Sequence, residues 1–194
     1  MVEENLLSST TSPQQTLIAY VEDKPGVLNR ITALFRRRGF NIESLNVGKT
    51  SQIGVSRLTI LMLGDDDTAK RFEANLYKLI NVLRVINLTS KPAIERELAL
   101  IKVTSNPDIR KELLQIAEVF RARIVDMGKE ALVFEITETP KKINSLLEVL
   151  EQFEIVEIGR TGCLAMSCGA EAPPLDPQFV LAQVPESKRA QNLF

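Results

Sequence analysis

The stretch DKPGVLNRITALFRRRGFNIESL, Asp23 to Leu45, decides the fold. It joins an apolar strand, Leu17-Ile18-Ala19-Tyr20-Val21, to a run in which Val27, Leu28, Ile31, Leu34 and Phe35 recur at helical spacing. Pro25-Gly26 therefore stands at a strand-to-helix corner. Proline is tolerated in a helix's first turn because the donor it lacks would be orphaned anyway, and glycine leaves the neighbouring N–H groups open to close approach. The helix, expected over Pro25 to Arg38, offers bare donors and the positive end of its dipole where a carboxylate fits. Gly39 stops it behind Arg36-Arg37-Arg38, cations suited to the negative end, and Asn41 opens the next strand. Capture of a small amino acid is the chemistry this suggests. A lone Pro-Gly and an asparagine are equally ordinary turn chemistry, so the corner by itself does not settle a function.

Working outward, strands at about Asn41 to Lys49 and Gly54 to Leu63 follow. Asp65-Asp66-Asp67 then supplies capping carboxylates to a second helix with the stripe Ala69, Phe72, Leu76, Leu79 and Ile80, and a strand over Val82 to Leu88 closes a βαββαβ unit. Lys91-Pro92 opens a linker over residues 91–95, because proline disfavours both helix continuation and a central strand. The order then repeats. A strand near Glu97 to Thr104 leads to Asn106 as cap and Pro107 at the first helical position, with Ile109, Leu113, Ile116, Ala117 and Phe120 on one face. Short strands at Arg123 to Asp126 and Ala131 to Thr137 flank Gly128. Thr139-Pro140 starts a helix with the stripe Ile143, Leu146, Leu147 and Leu150, and a last strand runs from Ile155 to about Met166. Each unit packs two helices on one face of an antiparallel sheet and leaves the other face to be covered. The expected class is α+β, two ferredoxin-like units over residues 16–90 and 96–169. Residues 1–15 read as a disordered polar lead-in, and the Pro-rich residues 170–194 as a flexible tail.

Composition narrows the function. At 194 residues, 44% hydrophobic and 25% charged, the chain can bury one or two small cores. A net charge of -1 argues against a nucleic-acid or membrane-surface partner, and the Arg36-Arg37-Arg38 run is a solvated helix end. No stretch is long or apolar enough to span a bilayer, and the start of the chain lacks the basic and apolar regions of a signal peptide. The chain contains no histidine, so Cys163 and Cys168 have no imidazole partners for zinc and read as reduced structural thiols. The same absence excludes Ser-His-Asp and Cys-His nucleophile systems, and no phosphate-cradling glycine loop occurs. No catalytic apparatus is visible.

The longer pattern is specific. Asp23 to Leu45, followed by Gly54-Val55-Ser56-Arg57-Leu58-Thr59-Ile60, Leu76 to Val85, Glu95 to Val103 and Ile158-Gly159-Arg160-Thr161-Gly162, resembles the small regulatory subunits of acetolactate synthase, which are ACT-domain proteins. The resemblance spans about Thr16 to Gly169. It implies that the first unit is an ACT domain that binds effector and dimerises, and that the second is ACT-like. It also implies that two such domains pair side by side into an eight-stranded sheet, so that Asp23, Lys24, Pro25, Gly26, Val27 and Leu28 of one chain meet Asn41 and Ile42 of the other. The effector implied is valine, with leucine and isoleucine as further candidates. The partner implied is a catalytic large subunit, activated by this chain and feedback-inhibited through it. Thiamine diphosphate, magnesium and FAD belong to that partner, with no cofactor in this chain, and the setting is the cytoplasm, or the plastid stroma if plastid-encoded. Two positions depart from the family pattern: Asp23 stands where many members have asparagine, and Gly159 where alanine is usual.

Three other readings share the element order. An RNA recognition motif needs aromatic side chains on its first and third strands, whereas Ser56 to Leu61 carries none and the first strand only Tyr20. A small ferredoxin-like enzyme lacks a plausible acid, base and nucleophile cluster. An ACT-domain sensor of a different amino acid is the nearest alternative.

Overall fold

The computed structural model describes residues 13–169. The expected lead-in and tail lie outside the described residues, except that Gln14 and Gln15 already belong to the first strand, β1 (Gln14–Glu22). There follow α1 (Val27–Arg38), β2 (Ile42–Lys49), β3 (Val55–Leu63), α2 (Asp66–Leu76) and β4 (Val82–Asn87). The second unit comprises β5 (Ala93–Thr104), α3 (Pro107–Phe120), β6 (Arg123–Met127), β7 (Ala131–Glu138), α4 (Pro140–Leu150), β8 (Ile155–Arg160) and β9 (Leu164–Ser167). The sheets run β2-β3-β1-β4 and β6-β7-β5-β8, all neighbours antiparallel, so the α+β class with two βαββαβ units is what the chain adopts.

Each sheet buries one face against its two helices. In the first unit Leu17, Ala19 and Val21 alternate inward from β1 and meet Ile31, Leu34 and Phe35 of α1 and Phe72 and Leu76 of α2. Phe72 stacks on Phe35 at 4.9 Å between ring centres and takes the edge of Phe40 at 4.8 Å, geometries that add to simple burial. In the second, Ala99, Ile101 and Val103 of β5 and Leu132, Phe134 and Ile136 of β7 pack on Leu113, Ala117, Ile143, Leu146 and Leu150. The caps read from the sequence form: Asp65 accepts from the Thr68 N–H, Asn106 from those of Asp108 and Ile109, and Thr139 from that of Lys142.

Three expectations are corrected. The second helix ends at Leu76; its C-terminal turn folds back through Leu79, and Ile80 is 88% exposed in the turn rather than on a buried stripe. The linker is half strand, because β5 starts at Ala93 and pairs with β9 from Ala93 to Arg96. The last strand is broken at Thr161-Gly162-Cys163, where Gly162 takes a left-handed φ of 77°. β8 and β9 nevertheless follow one edge of β5 in succession.

That break redirects the chain. The ribbon of β9 and the start of β5 leaves the second sheet and crosses the helix-free face of the first, where Ala165 and Ala93 pack with Ile18, Tyr20, Ile86 and Leu88. Polar contacts pin its margins: Thr16 Oγ1 donates to Glu95 at 3.0 Å, the Cys163 N–H to Ser44 Oγ at 2.9 Å, and the Arg57 guanidinium to the Ala165 carbonyl. Cys163 is therefore the buried structural thiol expected, its pKa pushed up to about 11 by burial and by the nearby Glu95 and Glu97, while Cys168 is exposed. A Cβ at Gly162 would stand 2.5 Å from Ser44 Oγ with its backbone in the left-handed region. Gly162→Ala should therefore destabilise the chain by about 1–3 kcal/mol, read as a fall in the thermal unfolding midpoint. An unchanged midpoint would show that the break tolerates an ordinary strand geometry.

Candidate functional site

The β1–α1 corner is made by a chain reversal held on both sides. The Asp23 N–H donates to the Gly54 carbonyl at 2.8 Å, and the Lys24 N–H to that of Glu22 at 3.0 Å. Pro25 does not occupy the helix's first position. Gly26 is the cap, at φ 83°, and its carbonyl accepts the first helical bond from Arg30 at 3.0 Å. A left-handed residue at that point turns the chain too sharply for Pro25 to join the helix, so α1 starts two residues later than the sequence implied.

Among the four described helices α1 alone has no side-chain cap. Its basic last turn and Gly39, whose N–H bonds back to Arg36 and Phe35, complete the asymmetry read from the sequence. Nothing lies within 4 Å of where a Gly26 Cβ would stand, so the corner is open. Asp23, Lys24, Pro25, Gly26 and Leu28 are all exposed. Val27 is different: its side chain is buried in the core and its N–H is taken by the Lys24 carbonyl at 3.3 Å, so it supports the corner from beneath.

Asn41 and Ile42 lie at the other end of α1. The helix rise sets them about 20 Å from Gly26 along the axis, so one chain does not bring the two halves of the candidate site together. Asn41 is exposed, while Ile42 is half-buried against the first core.

A polar network beneath the corner was not foreseen. Asn81, almost fully buried, donates to Glu22 at 2.5 Å and accepts from Arg30 at 2.7 Å, while Lys24 pairs with Glu22 at 3.1 Å. It ties the end of β1, the second turn of α1 and the turn before β4 into one unit. No spacing rule links residues so far apart in sequence. Burial opposes ionisation of Glu22, yet the hydrogen bonds from Asn81 and Lys24 outweigh it and hold its carboxyl below the usual glutamate range.

The comparisons with known proteins agree with this architecture. A family model described as an AHAS small subunit-like ACT domain matches residues 17–84, and one described as the small subunit of acetolactate synthase matches residues 96–169. The acetolactate synthase small subunit of Mycolicibacterium smegmatis is 44% identical over 161 residues, 83% of this chain and 95% of the relative. This chain belongs to the acetolactate synthase small-subunit family. A probable small subunit from Archaeoglobus fulgidus is 42% identical over 80% of this chain and 98% of its own length. The crystal structure of the small subunit from Thermotoga maritima superposes with a TM-score of 0.75 at 38% identity, covering 82% of this chain and 99% of that one. Membership places the protein in branched-chain amino acid biosynthesis and makes the first unit an ACT domain. Among the described residues no helix is long and apolar enough to cross a membrane, and no group of three or more His, Cys, Asp or Glu side chains could hold a metal ion.

A carboxyl held below its ordinary range contributes stability that is present above that range and lost as pH falls through the folded value. Stability should decline as pH drops below about 4.5, with Glu22 among the carboxylates responsible. Glu22→Gln should flatten that part of the acid-denaturation curve, and Asn81→Ala should cost about 1–3 kcal/mol at neutral pH through the lost bonds to Glu22 and Arg30. Chemical unfolding at several pH values measures both; identical acid limbs in parent and Glu22→Gln would remove Glu22 from the account.

Proposed function

We propose that this small subunit regulates a separate catalytic large subunit, raising its activity and conferring feedback inhibition by valine. The effector sits where the α1 N-terminus of one copy meets the start of β2 of a second copy. The observation that carries this reading is the uncapped, open α1 N-terminus, since the other three described helices all satisfy theirs with a side chain. Orphaned N–H groups and the positive end of the dipole favour a carboxylate there. Asn41 of the second copy supplies a polar contact, and Leu28 and Ile42 an aliphatic lining suited to a branched side chain. Asp23 is placed to receive the effector's ammonium. The 20 Å between the two halves within one chain is the reason for a homodimer. Thiamine diphosphate, magnesium and FAD are assigned to the catalytic subunit, and the setting is the cytoplasm. An ACT-domain sensor of another amino acid would use the same corner and differ in the lining.

Gly26→Asp tests the corner. Aspartate is among the side chains best suited to left-handed backbone, and the space is free, so the fold should survive. Its carboxylate would occupy the anion position, and valine affinity by calorimetry should fall on the order of 100-fold, the equivalent of losing a charge-assisted hydrogen bond of about 3 kcal/mol. Unchanged affinity would refute the assignment.

Asn41→Ala tests the direction of coupling. It removes a polar ligand contact and leaves apolar surfaces intact, so the variant mixed with its catalytic subunit should still activate acetolactate formation and should no longer be inhibited by valine. Linkage also requires valine and the catalytic subunit to alter each other's affinity by the same factor. A variant as valine-sensitive as the parent would exclude Asn41 from the site.

A further inference from the structure

The two units enclose a cleft of about 510 Å³, within the size range of small-molecule sites. It opens between the start of β2, with Glu43 and Leu45, and the first turns of α4, with Asn144; Arg160 stands at the break that joins the units. It is separate from the α1 corner. Ser44, which lines the cleft, bonds the ribbon on the helix-free face, whereas Ile42 packs with the helix-side core.

Its charges are arranged asymmetrically. Glu97, 5% exposed, is gripped by Arg160, whose Nε reaches Oε1 at 2.9 Å and Nη2 reaches Oε2 at 2.6 Å. Arg160 Nη1 donates to Asn144 Oδ1 at 2.8 Å. Those bonds use three of the five guanidinium N–H donors and leave two for a ligand, and Arg160 and Asn144 both line the cleft. On the opposite wall the Glu43 carboxylate bonds the neutral amide of Gln14 at 2.7 Å. A buried acid neutralised by its guanidinium, plus Glu43, gives the cleft one net negative charge.

We infer that this cleft binds an α-amino acid zwitterion, its ammonium on Glu43, its carboxylate on the spare donors of Arg160 and Asn144, and its side chain against Leu61. A simple anion would meet Glu43 and a simple cation would leave the guanidinium donors unused. Only a ligand carrying both charges satisfies both walls. The inference does not depend on the reading of the α1 corner.

The test titrates the full chain carrying Gly26→Asp, which disables the corner, with each of the twenty L-amino acids at millimolar concentrations. Isobutylamine and isovalerate serve as the two half-ligands. At least one amino acid should bind, both half-ligands should bind at least about tenfold more weakly, and adding Glu43→Gln should weaken the amino acid about tenfold or more without changing the melting midpoint. The unmodified chain gives an independent readout: backbone amide resonances of Leu45 and Gly162 should move on saturation for the cleft, and those of Gly26 and Leu28 for the corner. Failure of every amino acid to move Leu45 and Gly162 overturns the cleft whatever happens at the corner. Glu43→Gln binding as tightly as its parent, or a half-ligand binding as well as the amino acid, overturns it too.

Discussion

A four-stranded sheet with both helices on one side has a second face that must be covered, and most of this structure follows from how that is done. In the first unit the cover is not a third helix or a second copy of the chain but the ribbon of β9 and the start of β5. Ile18 and Leu88 on that face are as buried as many residues of the helix-side core, and Ala165 beneath the ribbon is fully buried. The small side chains Ala93 and Ala165 let the ribbon backbone approach the sheet closely. The surface on which an RNA recognition motif would stack bases is thus occupied from within the chain, with Tyr20 part of the packing.

The ribbon also fixes the chemistry of the junction. Because one edge of β5 passes from the β9 ladder to the β8 ladder, Glu97 sits between the two and is buried. A buried carboxylate is costly unless paired, and Arg160, the last residue of β8, meets it with two parallel bonds. Arg160 is itself 31% exposed at the side chain, so water screens part of the attraction; the pair's main effect is to fix where β8 ends. From there Thr161 donates to the Leu98 carbonyl at 3.0 Å and Gly162 turns the chain toward Ser44.

What was legible in the sequence was local. The caps at Asp65, Asn106 and Thr139, the glycine stop at Gly39 and the buried stripes of α3 and α4 each depend on neighbours within a turn, and each formed. The errors lie where tertiary contacts overrule periodicity. Ile80 continues the helical spacing of α2, but the chain must turn there to reach β4, and the side chain is left in solvent. Val27 belongs to the expected apolar stripe of α1 as well as to the candidate loop, and its side chain enters the core one residue after a left-handed glycine. The break in the last strand was invisible because Gly162 reads as an ordinary glycine until Ser44 is known to face it. Glu22, Asn81 and Arg30, like Glu97, Asn144 and Arg160, are joined across separations that no period encodes.

The same distinction bears on regulation. The α1 corner alone is a local feature, but an effector there can alter a partner only by favouring one arrangement of rigid elements over another. α1 is locked to its sheet through Ile31, Leu34 and Phe35, and Arg30 ties its second turn to Asn81 and thereby to Glu22 at the end of β1. β1 in turn carries Ile18 and Tyr20 on its opposite face, where the ribbon from the second unit lies. A shift of α1 relative to β1 therefore strains packing on both sides of the sheet, because a close-packed interior accommodates displacement by moving neighbours rather than by compressing. The edge strand β2 is held to the ribbon by a different device, the Ser44 and Asn46 hydrogen bonds to Cys163 and Thr161. Such bonds are individually weak and geometrically specific, so they can exchange for water when β2 moves, whereas the apolar contacts of β1 cannot. The joint between the units is thus apolar along β1 and polar along its edge strand β2.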